Sequence, residues 1–456
     1  MICVSKKKSY LKSQNLKIFG QGKLNGNVKI SGAKNSALVL LAASLLTNER
    51  IVLQNVPHLT DIEKMANILR NLGVKIIEKN NKLEIDSQNI SIKELPYELV
   101  NGLRASFFCI GPLLSKFGEA KVPLPGGCNI GSRPIDEHID GLKALGAKIL
   151  IEKGIVKASI KGEKRRLIGT HINLKCPSVG ATETLIMAAS LAEGRTTIEN
   201  AAREPEVQDL CQMLNKMGAK IYDSGKEIII IDGVSKLGGC VHKVIPDRIE
   251  AGTFLIAAAA TSSSITISPV IPHHLEAVTD TLQKSGSKIT TKGNSITINP
   301  RELRAVNINT APFPGFPTDL QAPFTALMTI AHGDSKITET LFENRMSHVH
   351  LLNKMGANIK LNKNVASIKG VKTINGMDLV APDLRSSAAL IIAGIIAKGS
   401  SRIFGLEHLD RGYENFESKL KILGIKITRE FNKNTLTDEE FKECSDHEDV
   451  PKCKAA

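Results

Sequence analysis

Charged and polar residues recur where apolar helical stretches begin: Lys34 and Asn35, Arg104, Ser178, Asp247 and Arg248, Asp319, Asp383 and Arg385. A helix N-terminus presents free N–H groups and the positive end of the dipole, so it takes anions. Ser or Asp there has two readings, a helix cap or a ligand group. Capping does not explain Lys or Arg, because the dipole repels cations. A site gathering several helix starts and these cations would hold a ligand with several negative charges.

The stretch LPGGCNIGSRPIDEH, residues 124–138, adds a thiol. Pro125, Gly126, Gly127, Gly131 and Pro134 predict an exposed loop. Free cysteines usually pack in cores, so Cys128 is out of place there. The other cysteines differ. Cys109 lies in an apolar run and reads as core, and Cys444 and Cys453 sit in a polar tail. No two of the eight cysteines form a CxxC pair, so neither a zinc site nor a dense disulfide framework is predicted, and a reducing compartment is the simplest setting.

The elements that must position these groups repeat. LGVK, LGAK, MGAK, SGSK, MGAN and LGIK place glycines at 73, 146, 218, 286, 356 and 424. Each phrase ends a helical stretch and opens an alternating one, such as KIIEKNNKLEID around Asn80-Asn81, which fits a left-handed cap and then a hairpin. In phase with it runs an Ala-rich stretch, beginning near Ser31, Arg104, Ser178, Asp247, Thr318 and Asp383. Several of these are apolar on nearly every side and should be buried helices. The unit reads helix, strand, helix, strand, strand, and six copies suggest two domains of three, with a hinge near KVIPD at 243–247. Three buried helices would sit inside each shell of sheets and outer helices.

Bulk properties agree. A chain of 456 residues exceeds one ordinary core. Aromatics are 4% with no Trp, which argues against single-stranded nucleic-acid binding by stacking. The net charge is +14: residues 1–48 carry +8, residues 431–456 carry −3, and the rest carries +9. A positive body suits nucleic acid, an anionic membrane surface or small phosphates. No apolar run of about 18 residues predicts a membrane helix. The N-terminus MICVSKKKSYLKSQ reads as a solvated basic arm, the alternative being an organelle-targeting segment, against which its lack of Arg counts.

The phrases SGAKNSA, RASFFCIGPL, LPGGCNIGSRPIDEH, SVGATETL, NAAREPEV, DRIEAGTF, FPTDLQA, FENRMSHV, DLRSSAAL and DRGYE occur in that order. Together they resemble the UDP-N-acetylglucosamine enolpyruvyl transferases of peptidoglycan synthesis, within the EPSP synthase superfamily, over about residues 17–430. The resemblance implies an inside-out α/β barrel of two domains, with six βαβαββ-type units, three per domain. The implied domains are 34–245, carrying the Cys loop at about 124–138, and 1–33 plus 246–430. The resemblance does not extend to the charged tail, 431–456.

The implied reaction moves the enolpyruvyl group of phosphoenolpyruvate to the 3-hydroxyl of UDP-N-acetylglucosamine and releases phosphate, by addition and then elimination, without metal or organic cofactor. The resemblance assigns phosphoenolpyruvate to Lys34, Arg133 and Arg411, with Arg345 and Arg385 nearby; Arg suits bidentate oxyanion recognition. For Arg385 an ion pair with the adjacent Asp383 is the competing reading. Asp319 takes the general-base position, with helix capping as its alternative. Cys128 takes the role of general acid and fosfomycin target, and nearby cations would raise its thiolate fraction. Asn35, Arg104, Arg133, Pro134, Ile135, Asp136, Ser178, Val179, Gly180, Asp319 and Leu341 fall at UDP-sugar positions, and Asp383 supports the intermediate and its release. Departures are Pro323 after TDLQA, the MSHVH segment at 346–350, and Lys175-Cys176, whose contact with the nucleotide stays open. The implied setting is a cytoplasmic monomer with small-molecule substrates and neither nucleic acid nor membrane as partner. The rivals are a shikimate 3-phosphate enolpyruvyl transferase, a non-catalytic UDP-sugar or phosphoenolpyruvate sensor and, from charge alone, a nucleic-acid binder.

Overall fold

The structure is a computed structural model that describes residues 14–91, 94–95, 100, 103–124, 135–160 and 166–431. Cys128, Arg133, Pro134, the first 13 residues and the tail beyond Phe431 lie outside the described residues.

Among the described residues, twelve of the α-helices alternate between two environments, with the short helix Leu406–Leu409 beside them. The inner ones are α1 (Lys34–Ala43), α3 (Ile110–Phe117), α5 (Val179–Ala189), α7 (Arg248–Ala260), α9 (Gln321–Met328) and α11 (Leu384–Ile396). The outer ones are α2 (Thr60–Asn71), α4 (Asp136–Ala144), α6 (Pro205–Lys216), α8 (Glu276–Lys284), α10 (His348–Lys354) and α12 (Phe416–Ile422). Inner helices are buried on all sides: α7 from Ile249 to Ala260 and α11 from Leu384 to Ile395. That follows from sequences such as LRSSAALIIAGII, which offer water no polar face. Small residues let these helices pack closely. A Cβ on Gly111 of α3 would come within 2.6 Å of the Thr184 carbonyl of α5. Outer helices are amphipathic and bury one stripe; in α2 it comprises Asp61, Ile62, Met65, Ala66, Ile68 and Leu69.

Each outer helix ends at the repeated glycine. Gly73, Gly146, Gly218, Gly286, Gly356 and Gly424 all have φ between 94° and 105°, a region that costs a Cβ-bearing residue strain. A hairpin follows in most units. In the first, Lys75–Lys79 and Lys82–Asp86 join at Asn80 and Asn81, with φ of 51° and 56°, as a primed turn requires. The described strands form six sheets, five of four strands and one of three.

The sixth unit is completed from the other end of the chain. Gln14–Phe19 lies antiparallel between Ser400–Phe404 and Ile427–Phe431. In the fifth unit that position is filled locally by Val365–Lys369. The repeat is thus circularly permuted.

Two hydrophobic cores result. One runs from Ala33 to Val244, and the other joins Leu16–Ile30 to Ile249–Ile427. Gly26–Lys29 pairs in parallel with Ile265–Ser268 of the second body, whereas Cys240–Lys243 pairs in parallel with Ile51–Gln54 of the first. The chain therefore crosses between the bodies twice, at residues 30–33 and 244–247. The crossings are bonded to each other: Ala33 N–H donates to the Ile245 carbonyl (2.7 Å) and Asp247 N–H to the Ser31 carbonyl (2.9 Å).

Candidate active site

The crossings place inner-helix starts of both bodies side by side. Asp247 caps α7 by accepting from the N–H groups of Ile249 (2.7 Å) and Glu250 (3.1 Å). Its second oxygen accepts the first N–H of α1, from Lys34, at 3.3 Å. Ser178 caps α5 and Asp383 caps α11. Asp319 caps nothing. It lies in a single turn, Thr318–Leu320, ahead of α9, where Pro317 holds the cap position.

Freed from capping, Asp319 is the centre of an ion cluster. Arg385 of α11 donates to Asp319 Oδ2 at 2.5 Å, and Arg345 bonds Oδ1 while also donating to Thr318 Oγ1 (2.8 Å). The ion pair of Arg385 is thus with Asp319, not with the adjacent Asp383. Asp383 is occupied by its cap and by the hydroxyls of Ser347 (2.9 Å) and Ser386 (2.5 Å). Burial alone would raise the Asp319 carboxyl, but Arg385 and Arg345 outweigh it and hold the group well below the usual carboxylate range. Arg385 is itself braced, its guanidinium lying 5.7 Å from the centre of the Tyr413 ring. Tyr413 is buried and bonds Thr253 of α7 at 2.9 Å.

A second carboxylate stands opposite. Asp61, 2% exposed on α2, receives Lys34 Nζ at 3.4 Å from α1 and Arg411 Nε at 2.9 Å from the second body. Burial pushes the Lys34 ammonium below its ordinary value, Asp61 and Asp319 push it up, and Arg385 and Arg411 push it down. Lys34, Arg345, Arg385 and Arg411 thus converge on one junction through two carboxylates. A polyanion entering there would meet cations already desolvated.

The remaining expected positions lie on segments that pack against one another or beside the Asp319 turn. A Cβ on Gly180 of α5 would approach His138 Nε2 of α4 at 3.0 Å and Phe108 at 3.6 Å. The segments carrying Ser178–Gly180, Ile135–Asp136 and Arg104 therefore meet. Asn35 and Asp136 are exposed, and Arg104 is half-buried. Leu341, 38% exposed, follows Glu339, which accepts from both Leu341 N–H (3.0 Å) and Thr318 Oγ1 (2.7 Å). That sets Leu341 beside the Asp319 turn. Lys175 and Cys176 are exposed, with Lys175 paired to Asp140 at 2.9 Å.

The sequence profile described as EPSP synthase (3-phosphoshikimate 1-carboxyvinyltransferase) matches residues 18–420. The chain belongs to the EPSP synthase family. Within it, a protein of Prochlorococcus marinus (strain MIT 9301) named UDP-N-acetylglucosamine 1-carboxyvinyltransferase is 86% identical over all 456 residues and all of its own length. One of the same name from strain MIT 9313 is 55% identical over 91% of this chain and 95% of its own. Among solved structures, the enolpyruvyl transferase NikO from Streptomyces tendae superposes with a TM-score of 0.83 at 25% identity, over 92% of this chain and 99% of that one. EPSP synthase from Acinetobacter baumannii, 19% identical, shares the fold at a TM-score of 0.69, over 91% of this chain and all of that one.

The two-body, six-unit architecture of this enolpyruvyl transferase is the one its family implies. Sequence reading missed Asp61. A signal was present: Asp61, Met65, Ile68 and Leu72 share one stripe of an amphipathic helix, so the pattern put a carboxylate on a buried face. It also passed over the pairing of Arg248 with Glu206 (3.1 Å), a buried ion pair between the two bodies. Every cation found at an inner-helix start among Lys34, Arg248 and Arg385 has a buried or half-buried carboxylate partner.

Proposed function

We infer that this chain transfers the enolpyruvyl group of phosphoenolpyruvate to the 3-hydroxyl of UDP-N-acetylglucosamine with release of phosphate, an early step of peptidoglycan precursor synthesis. The observation that carries this is end-to-end identity of 86% with a relative named for that reaction. The cluster of desolvated cations around Asp319 supports it chemically.

Phosphoenolpyruvate carries a carboxylate and a phosphate. Lys34, Arg411 and Arg133 take one set of charges, and Arg345 and Arg385 the other. Asp319 removes the proton of the sugar hydroxyl as that oxygen attacks the alkene carbon bearing the phosphate. Cys128 delivers a proton to the methylene carbon, completing a tetrahedral ketal. Loss of a methyl proton then expels phosphate and restores the double bond on the product. Asp383 supports this intermediate and its release.

A carboxylate held by two arginines is a weak base. The substrate's own anions engage Arg345 and Arg385, and this loosens their hold on Asp319. Its buried setting then raises its basicity at the moment both substrates are present. The UDP-sugar is held by Asn35, Arg104, Arg133, Pro134, Ile135, Asp136, Ser178, Val179, Gly180 and Leu341. Residues 34–245 and 1–33 with 246–430 act as the two domains that close on it. The family resemblance further implies a cytoplasmic monomer. No helix among the described residues is long and apolar enough to cross a membrane.

Phosphate release with each acceptor tests this reading. Turnover is expected with UDP-N-acetylglucosamine and abolished by fosfomycin. Turnover with shikimate 3-phosphate alone would overturn it.

A further inference from the structure

We propose that Asp61 is a positioning residue for phosphoenolpyruvate, holding Lys34 of one domain and Arg411 of the other in register. The inference rests on the enolpyruvyl-transfer reading. Its geometry is independent of it. Asp61 is buried, and no catalytic step requires its proton. Its two oxygens have different occupants. Oδ1 receives Arg411 Nε at 2.9 Å, and Oδ2 receives Lys34 Nζ at 3.4 Å and an Arg411 terminal nitrogen at 3.5 Å. The approach of Arg411 is therefore side-on, by Nε and one NH2. The ammonium of Lys34 keeps donors free for a second anion.

The surrounding backbone fixes this carboxylate. Asp61 lies in the first turn of α2, and the preceding residue, Thr60, is bonded to the second body twice. Its N–H and its Oγ1 both donate to the Asp410 carbonyl, at 3.2 and 2.8 Å. Asp410 is the neighbour of Arg411. Further along the same segment, Glu414 accepts from His58 N–H at 2.7 Å. The start of α2 and the Asp410–Glu414 segment are thus pinned as one edge, with Asp61 at its buried end. A cation-binding carboxylate at a helix start is also the sign the dipole favours.

Asp61 has an electrostatic task as well. The charged groups acting on Lys34 are Asp61 and Asp319, which favour its ammonium, and Arg385 and Arg411, which oppose it along with burial. Removing Asp61 leaves a buried lysine facing two guanidiniums. The ammonium then loses its proton at a lower pH, and the phosphate loses a ligand.

Asp61→Asn keeps the shape and removes the charge. Steady-state kinetics with each substrate varied in turn should show kcat/KM for phosphoenolpyruvate down by about tenfold or more, with KM for UDP-N-acetylglucosamine changed by less than about threefold. The alkaline limb of the phosphoenolpyruvate profile should move to lower pH. A loss shared equally by both substrates, or an unmoved alkaline limb, would overturn the assignment. If Asp61→Asn fails to fold, Asp61→Glu retains the charge and displaces it by one methylene. KM for phosphoenolpyruvate should then rise with the limb in place, and an unchanged KM overturns the proposal. Wild-type protein inactive with both substrates would instead sink the enolpyruvyl-transfer reading, so the two failures are separable.

Discussion

Arg385 and Asp319 meet at 2.5 Å across the starts of two neighbouring inner helices, so the group assigned to take the proton is itself held by a cation assigned to the substrate. Base and substrate compete for one guanidinium. Asp319→Asn removes the base and leaves a shape that still accepts hydrogen bonds. Turnover should fall by about 10² to 10⁴, the usual worth of a general base, while UDP-sugar affinity by calorimetry stays near wild type. A variant within a few fold of wild-type rate would remove Asp319 from that role.

The second arginine offers a graded test of the same competition. Arg345 and Arg385 together overcome the burial that would otherwise raise the Asp319 carboxyl. Arg345→Gln removes one of them, and burial then acts against fewer opposing charges. The folded-state pKa of Asp319 rises in the free enzyme, so the acid limb of the kcat/KM profile should move to higher pH. KM for phosphoenolpyruvate should rise too, because the same guanidinium is counted among its ligands. An acid limb that stays in place would mean that Arg345 does not set the basicity of Asp319.

Cysteine chemistry should be confined to the 124–138 loop. Burial pushes the Cys109 and Cys211 thiols up to about 12, leaving almost no thiolate at neutral pH. Cys176 and Cys240 are also raised, chiefly by burial. No described thiol is activated; of Cys3, Cys128, Cys444 and Cys453, which lie outside the described residues, Cys128, five residues before Arg133, is the one the family resemblance assigns. Peptide mapping after fosfomycin treatment should find one adduct, at Cys128. Cys128→Asp should keep measurable turnover and escape the inhibitor. An adduct at Cys176 or Cys240, or inhibition of Cys128→Asp, would contradict the loop assignment.

How much of this was legible in the sequence follows from how local each signal is. The repeated glycines were readable because a left-handed cap is a one-residue requirement, and Asn80-Asn81 because a primed turn is a two-residue one. The inner helices announced themselves by lacking a polar face. The completion of the sixth unit by Gln14–Phe19 was hidden, since strand pairing across nearly the whole chain leaves no local trace. The partners of the cations were hidden for the same reason. Arg385 has an acidic neighbour two residues away, yet that neighbour is committed to capping and the true partner is 66 residues distant. Asp61 and Arg411 are 350 apart. Sequence spacing identified which groups were chemically out of place, and only the fold could say what they face.

One buried histidine behind the site should govern stability in acid. His348, at the start of α10, is fully buried, and neither ring nitrogen has a hydrogen-bond partner. Burial lowers its pKa to about 4, with Arg345 adding to the effect and Asp383 opposing it. An unfolded histidine titrates near its ordinary value of 6.5. The folded pKa therefore lies below the unfolded one, and stability is fully present above about pH 6.5 and is lost as pH falls toward 4. The loss attributable to this ring is at most about 3 kcal/mol over that window. His348→Leu removes the titration and two unpaired polar atoms from a packed site, which favours the folded state. Denaturant melts at pH 7.5 and 5 should show the wild type losing stability between them and His348→Leu losing less. Parallel losses in the two proteins would place the acid sensitivity elsewhere.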